Sequence, residues 1–146
     1  MWKRIVSESG HMFDKDYDYN RLCNKYSFPI DITHRFLSSL KGIGIEVGLL
    51  TNIWGNMLQQ SFDCGLIPKF EYKTIIASCE VGAVKPENMI YEIAEEKSGY
   101  SGGEILFVDD SPDNIRVAES FGWKGVLMDL GNPGKFIKKI ASILDG

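Results

Sequence analysis

The stretch Ile105-Leu-Phe-Val-Asp-Asp-Ser-Pro-Asp-Asn114 decides how the rest of the chain is read. Four consecutive apolar residues, Ile105 to Val108, describe a strand buried on both faces, because a run without alternation leaves no side for water. Asp109 and Asp110 follow at once, where such a strand leaves the sheet. In open α/β sheets the crevice outside the carboxyl ends of parallel strands is where ligands bind. Ser111 is placed to cap the next helix and Pro112 suits its first turn, while Ile115, Val117, Ala118 and Phe121 supply an apolar face that ends at Gly122. Two acids side by side repel each other, so a cation or a basic group is expected to answer them.

Outward from this unit the same alternation repeats. Asp31 or Thr33 can start a helix with Phe36, Leu37 and Leu40 inward, stopped by Gly42 and Gly44. Ile45 to Leu50 reads as a buried strand ending in Thr51-Asn52, with Gly48 marking a close backbone approach. A helix carries Met57, Leu58 and Phe62. Ile75 to Ala77 is a short strand, and Ser78 to Pro86 a loop. Glu87 to Lys97 is a helix with Met89, Ile90, Ile93 and Ala94 inward, and Gly99 to Gly103 a break. Gly125 to Met128 gives another strand and Phe136 to Leu144 a terminal helix. Strands and helices alternating at this spacing imply βαβ units, a mostly parallel sheet and helices on both faces: a three-layer α/β/α, Rossmann-like fold. Right-handed crossovers then bring Thr51, Asn52, Lys85, Asp109 and Asp110 to one sheet edge.

Bulk composition narrows the classes. A chain of 146 residues, 44% hydrophobic, can bury one substantial core. Its formal net charge of −4, without a basic block, argues against a nucleic-acid surface, and no apolar run is long enough to span a membrane. Residues 1 to 10 lack the apolar core of a secretory signal, so the expected location is cytoplasmic. Cys23, Cys64 and Cys79 fit neither a disulfide framework nor a zinc site and are expected to be small buried hydrophobes. His11 and His34 are far apart, which disfavours histidine chemistry. Trp54 either packs a helix onto the sheet or edges the substrate entrance.

A hydroxyl, an ammonium and a carboxylate pair converging on one crevice suit a phosphate and a divalent cation. Carboxylates without cysteine or histidine favour a hard ion such as Mg²⁺, held through one or two of them plus water and substrate oxygens.

Leu49-Leu-Thr51-Asn52, Ser78-Cys-Glu-Val-Gly-Ala-Val-Lys85-Pro86-Glu87 and Leu106-Phe-Val-Asp109-Asp110-Ser-Pro-Asp-Asn114, in this order, resemble the second, third and fourth motifs of the haloacid dehalogenase-like (HAD) hydrolases. The resemblance runs from about Asp31 to Met128. It implies that Thr51 and Asn52 bind phosphate, that Lys85 steadies nucleophile and phosphate, and that Asp110 ligates Mg²⁺ with Asp109 and Asn114 in support. The partner implied is a small phosphorylated metabolite. Such enzymes use an aspartate pair, one acid attacking phosphorus and the other working as general acid and base. Here the nearest Asp-x-Asp spacing is Phe13-Asp14-Lys15-Asp16-Tyr17, which lacks the Gly-Thr that follows in the family. Asp14 and Asp16 are therefore either that pair or part of a solvated loop or cap remnant.

Residues 1 to 30 are accordingly read as an N-terminal segment or cap remnant, and 31 to 146 as the HAD-like core, with the helical cap absent or reduced. In the family the first strand lies between those ending here in Thr51 and Asp109. Without it two rows of backbone groups would go unpaired, each at a cost of about 1 to 3 kcal/mol. Either residues within 2 to 13 enter the gap or another copy donates a strand, giving a homo-oligomer. Three functional readings follow from the resemblance: a Mg²⁺-dependent phosphate-ester hydrolase working through an aspartyl-phosphate, an inactive or truncated HAD-like domain serving binding or assembly, and a haloacid dehalogenase.

Overall fold

Helix and strand alternate from Asp31 onward in the computed structural model, which describes residues 27, 29, 31–129 and 131–144. The order is α1 (Asp31–Gly42), β1 (Gly48–Thr51), α2 (Met57–Asp63), β2 (Thr74–Ala77), α3 (Ser78–Val81), α4 (Asn88–Ser98), a 3₁₀ turn (Gly102–Glu104), β3 (Leu106–Asp109), α5 (Pro112–Ser120), β4 (Lys124–Leu127) and α6 (Pro133–Leu144). β1 pairs with β2 in parallel, from Gly48 opposite Thr74 to Thr51 opposite Ala77. β3 pairs with β4 in parallel, from Leu106 opposite Lys124 to Asp109 opposite Leu127. Among the described residues β1 and β3 are not paired with each other, so the two ladders stand as separate halves. That separation is what a sheet built around a further central strand requires. Residues 2 to 13, the proposed source of that strand, lie outside the described residues.

Helices cover both faces. Ile90, Tyr91 and Ala94 of α4, Ile115 and Ala118 of α5, and Trp123 cluster with Ile76 and Phe107. On the other side Phe136 and Ile140 of α6, with Phe36 of α1, pack against Leu106, Val108 and Val126. Alternate residues of β3 thus feed opposite layers, which is why Ile105 to Val108 is apolar throughout. The centre of the first layer is Tyr91, fully buried. Its ring lies 5.3 Å from that of Trp123, 5.6 Å from Phe121 and 6.0 Å from Phe107. Offset and edge-on aromatic pairs of this kind add roughly 0.5 to 1.5 kcal/mol each beyond area burial. The hydroxyl of Tyr91 donates to the Asn114 carbonyl at 3.0 Å, and the Trp123 indole donates to Glu95 Oε1 at 2.9 Å, so no polar atom of the pair is stranded.

Several local expectations are corrected. The strand expected at 45 to 50 begins at Gly48 because the preceding residues close α1: the Ile43 and Ile45 amides both donate to the Leu40 carbonyl, and Gly44 takes a positive φ. Ile45 is consequently 37% exposed. The expected loop 78 to 86 opens with one helical turn, α3, closed by Gly82 at φ 72°. Met89 is 53% exposed rather than inward, since the buried stripe of α4 is Ile90, Tyr91 and Ala94. The terminal helix starts at Pro133, three residues early, with proline in the first turn where no backbone donor is needed. Cys64 and Cys79 are exposed, not buried, and Cys23 lies outside the described residues. Ser111 holds the N-cap position of α5 without a side-chain cap bond.

Close backbone approach falls at Gly125 rather than Gly48. A methyl group on Gly125 would lie 2.7 Å from Ile115 Cγ2 and 2.9 Å from Glu119 Oε1, whereas one on Gly48 would meet Thr74 at an ordinary 3.4 Å. Gly125 therefore sets how closely α5 lies on β4. Gly125→Ala is expected to lower stability by about 1 to 3 kcal/mol through overpacking, and Gly48→Ala by less, as read by urea denaturation of both variants.

Candidate active site

Asp109 is the last residue of β3 and is only 8% exposed. A carboxylate in that position needs every oxygen answered. Its Oδ2 accepts the Lys85 ammonium at 2.6 Å. Its Oδ1 accepts the Ser111 amide at 2.9 Å and the Asn114 side-chain amide at 2.8 Å. The expected answer to the two adjacent acids is thus Lys85, and the turn after β3 is folded around Asp109. Burial pushes this carboxyl up, but the bonds from Lys85, the Ser111 amide and Asn114 outweigh it and hold Asp109 below its ordinary 3.8. Behind it, burial first and the Asp109 charge second raise the Tyr91 phenol to about 12. Tyr91 therefore stays a neutral donor.

Lys85 spans the two half-sheets. Besides Asp109 at the end of β3, its Nζ donates to the Leu50 carbonyl at the end of β1 at 2.9 Å and lies 5.6 Å over the Phe107 ring. Its main chain is tied to β1 as well: the Lys85 amide donates to Asn52 Oδ1 at 2.8 Å, and Asn52 Nδ2 donates to the Lys85 carbonyl at 2.9 Å. The buried hydroxyl of Ser78 fixes the neighbouring turn, accepting from the Ile53 amide at 2.9 Å and donating to the Ile53 carbonyl at 3.0 Å. Thr51, half-buried, ends β1 beside these contacts. Trp54 just beyond is 62% exposed, so it does not pack a helix onto the sheet.

Most residues singled out in the sequence meet here. Thr51 and Asn52 lie at the carboxyl end of β1, Asp109 and Asp110 at that of β3, Asn114 in the first turn of α5, and Lys85 reaches them from the loop after α3. Asp14 and Asp16 lie outside the described residues. Ser78 and Tyr91 had no distinguishing signal: a serine after a short strand and a tyrosine in a helix are ordinary until the fold brings Ile53 and Asn114 against them. His34 is drawn into the scaffold, its Nε2 facing the Leu66 carbonyl at 3.3 Å.

The two acids are not equivalent. Asp109 is committed to Lys85, Ser111 and Asn114, whereas Asp110 is exposed and has no hydrogen-bond or ion-pair partner among the described residues. No group of three or more His, Cys, Asp or Glu side chains converges there, again among the described residues. An oxygen-only donor set with a single free carboxylate fits a hard cation that takes the rest of its shell from water and substrate.

A family model for haloacid dehalogenase-like hydrolases matches residues 6–122. The chain belongs to the haloacid dehalogenase-like hydrolase family. The matched region begins well before Asp31, where the motif resemblance starts, and so takes in Asp14 and Asp16. The (S)-2-haloacid dehalogenase of Pseudomonas fluorescens is 26% identical over 110 residues, which make up 74% of this chain and 48% of that protein. The chain spans less than half the length of the curated relatives it matches. Among solved structures, the HAD phosphatase from Thermococcus onnurineus is 25% identical with a TM-score of 0.72, over 99% of this chain and 71% of that one. A HAD family enzyme from Bacteroides thetaiotaomicron, in complex with magnesium and inorganic phosphate, has the same fold at 21% identity and a TM-score of 0.73, over 89% and 68% of the two chains. The fold is accordingly the HAD-like, Rossmann-type α/β fold. No helix among the described residues is long and apolar enough to cross a membrane.

The lowered pKa of Asp109 has a consequence for stability. A group whose folded value is depressed contributes stability that is complete above its unfolded value and is lost as pH falls through the folded one. Between about pH 5 and pH 3 the wild type is expected to lose stability more steeply than Asp109→Asn, measured as the slope of the unfolding free energy against pH.

Proposed function

We propose that the chain is the catalytic core, or part of it, of a Mg²⁺-dependent phosphate-ester hydrolase acting on a small phosphorylated metabolite. The observation that carries this reading is Lys85. Its Nζ is fixed between the Leu50 carbonyl and Asp109, at the carboxyl ends of two strands that do not pair with each other, with Thr51 and the free carboxylate of Asp110 as chain neighbours of those two contacts. Membership of the family and the likeness to a HAD phosphatase support the same reaction class. The Bacteroides enzyme that binds magnesium and inorganic phosphate supports the choice of cofactor.

In this reading the Asp14 carboxylate attacks phosphorus and forms an aspartyl-phosphate as the ester P–O bond breaks. Asp16 gives its proton to the leaving alkoxide. Water then attacks phosphorus, Asp16 takes back a proton, and inorganic phosphate leaves with Asp14 restored. Thr51 donates its hydroxyl to a phosphate oxygen. Lys85 holds positive charge where negative charge grows and steadies the nucleophile. Asp110 would hold Mg²⁺, and the turn that Asp109 and Asn114 brace would keep it in place. The bound ion would neutralise phosphate oxygens during transfer.

The dehalogenase relative favours a second reading, hydrolysis of a small haloacid. Metal-independent displacement of halide leaves Asp110 without a task, so the phosphatase is preferred. With Mg²⁺ and a general aryl phosphate, the wild type is expected to hydrolyse the ester. Asp14→Asn and Asp110→Asn should each lower the rate by at least about a hundredfold. An inactive wild type that binds phosphate would instead assign the chain to a binding or assembly role. Release of halide from a 2-haloacid without Mg²⁺ would assign it to dehalogenation.

A further inference from the structure

Asn52 follows the phosphate-binding Thr51 and was expected to touch substrate itself. Its side chain is turned elsewhere. Both ends of the carboxamide are engaged by the main chain of a single residue, Lys85, at 2.8 Å and 2.9 Å. Two bonds from one planar group to the N–H and C=O of one residue fix its translation and its tilt, which a single bond does not. Lys85 needs this. It sits in the loop between α3 and α4, outside any strand, where the surrounding turn is held by bonds between Val84 and Glu87 that leave the Lys85 main chain to Asn52. The lysine stem has four flexible carbons, so the ammonium is only as well placed as the backbone that carries it.

The other end of the same side chain returns to the same strand end. Lys85 Nζ donates to the Leu50 carbonyl, two residues before Asn52. The end of β1 therefore grips Lys85 twice, through a carbonyl at the ammonium and a carboxamide at the main chain, and the ammonium also bonds Asp109 at the end of β3 in the other ladder. We propose that Asn52 is a positioning residue that acts through Lys85, setting where its ammonium stands for the transferring phosphate, and is not a ligand of substrate. This inference rests on the phosphatase reading above. Because Asn52 is exposed, water can replace both of its bonds, and its loss is a matter of placement more than of fold.

The test is a double-mutant cycle on the full chain with inorganic phosphate and Mg²⁺, read by calorimetry, beside kcat and KM for an aryl phosphate. Asn52→Ala is expected to lower kcat and phosphate affinity by on the order of tenfold to a hundredfold, with the melting temperature little changed. In the Lys85→Met background the same substitution should then have no further effect. Effects of Asn52→Ala and Lys85→Met that simply multiply would overturn the proposal and make Asn52 a direct ligand. Amide hydrogen exchange supplies a readout independent of activity: the Lys85 amide should exchange faster in Asn52→Ala than in the wild type, and unchanged exchange would also overturn it. If the wild type neither binds phosphate nor hydrolyses esters, the phosphatase reading fails, and the exchange rate alone decides whether Asn52 positions Lys85.

Discussion

The structure depends on answering one buried charge. Asp109 ends β3 with its carboxylate out of water, and a carboxylate there is tolerated only when paired and fully hydrogen-bonded. Lys85 supplies the opposite charge, and the Ser111 amide and Asn114 take the remaining oxygen. Each contact recruits a different part of the chain: the loop before α4, the turn into α5 and, through the second bond of Lys85, the end of β1. One ion pair thus ties two parallel ladders that share no backbone hydrogen bond among the described residues. Such a pair adds little net stability compared with apolar packing, but breaking it strands a charge. Its value is in specifying geometry.

The functional consequence is a division of labour between adjacent acids. Asp109 is consumed by the scaffold and orders the turn after β3, whereas Asp110 is exposed and has no hydrogen-bond or ion-pair partner among the described residues. A repulsion that the sequence makes obvious is relieved by turning the two side chains to different uses. Tyr91 extends the arrangement inward: its neutral phenol holds the Asn114 carbonyl while its ring anchors the aromatic cluster, so the position of Asn114 is set by the core as well as by Asp109.

Much of this was legible in the residues, and what was not has identifiable causes. The apolar run 105 to 108 and the acids after it specify a strand and its exit because burial on both faces and charge at the end leave no other reading. Local closure obscured β1, where capping of α1 consumes Ile43 and Ile45. Helical phase misled at Met89, one position away from the stripe that Ile90, Tyr91 and Ala94 form. Thr51, Lys85 and Asp110 could be singled out as candidates because their motifs keep order and spacing. Ser78 could not, since its role is a pair of bonds to a residue 25 positions away and leaves no pattern in its own neighbourhood. Asn52 was singled out beside Thr51, but its two bonds to the Lys85 main chain were not legible, because nothing in a sequence says which way a carboxamide turns.

The central claim is that Lys85 and Asp109 work as one unit, and a stability cycle tests it most directly. Urea unfolding free energies of Lys85→Met, Asp109→Asn and the double variant should show each single change costing about 3 to 5 kcal/mol and the double change well short of their sum. Losses that add within about 0.5 kcal/mol would mean the two side chains act independently and would contradict the account.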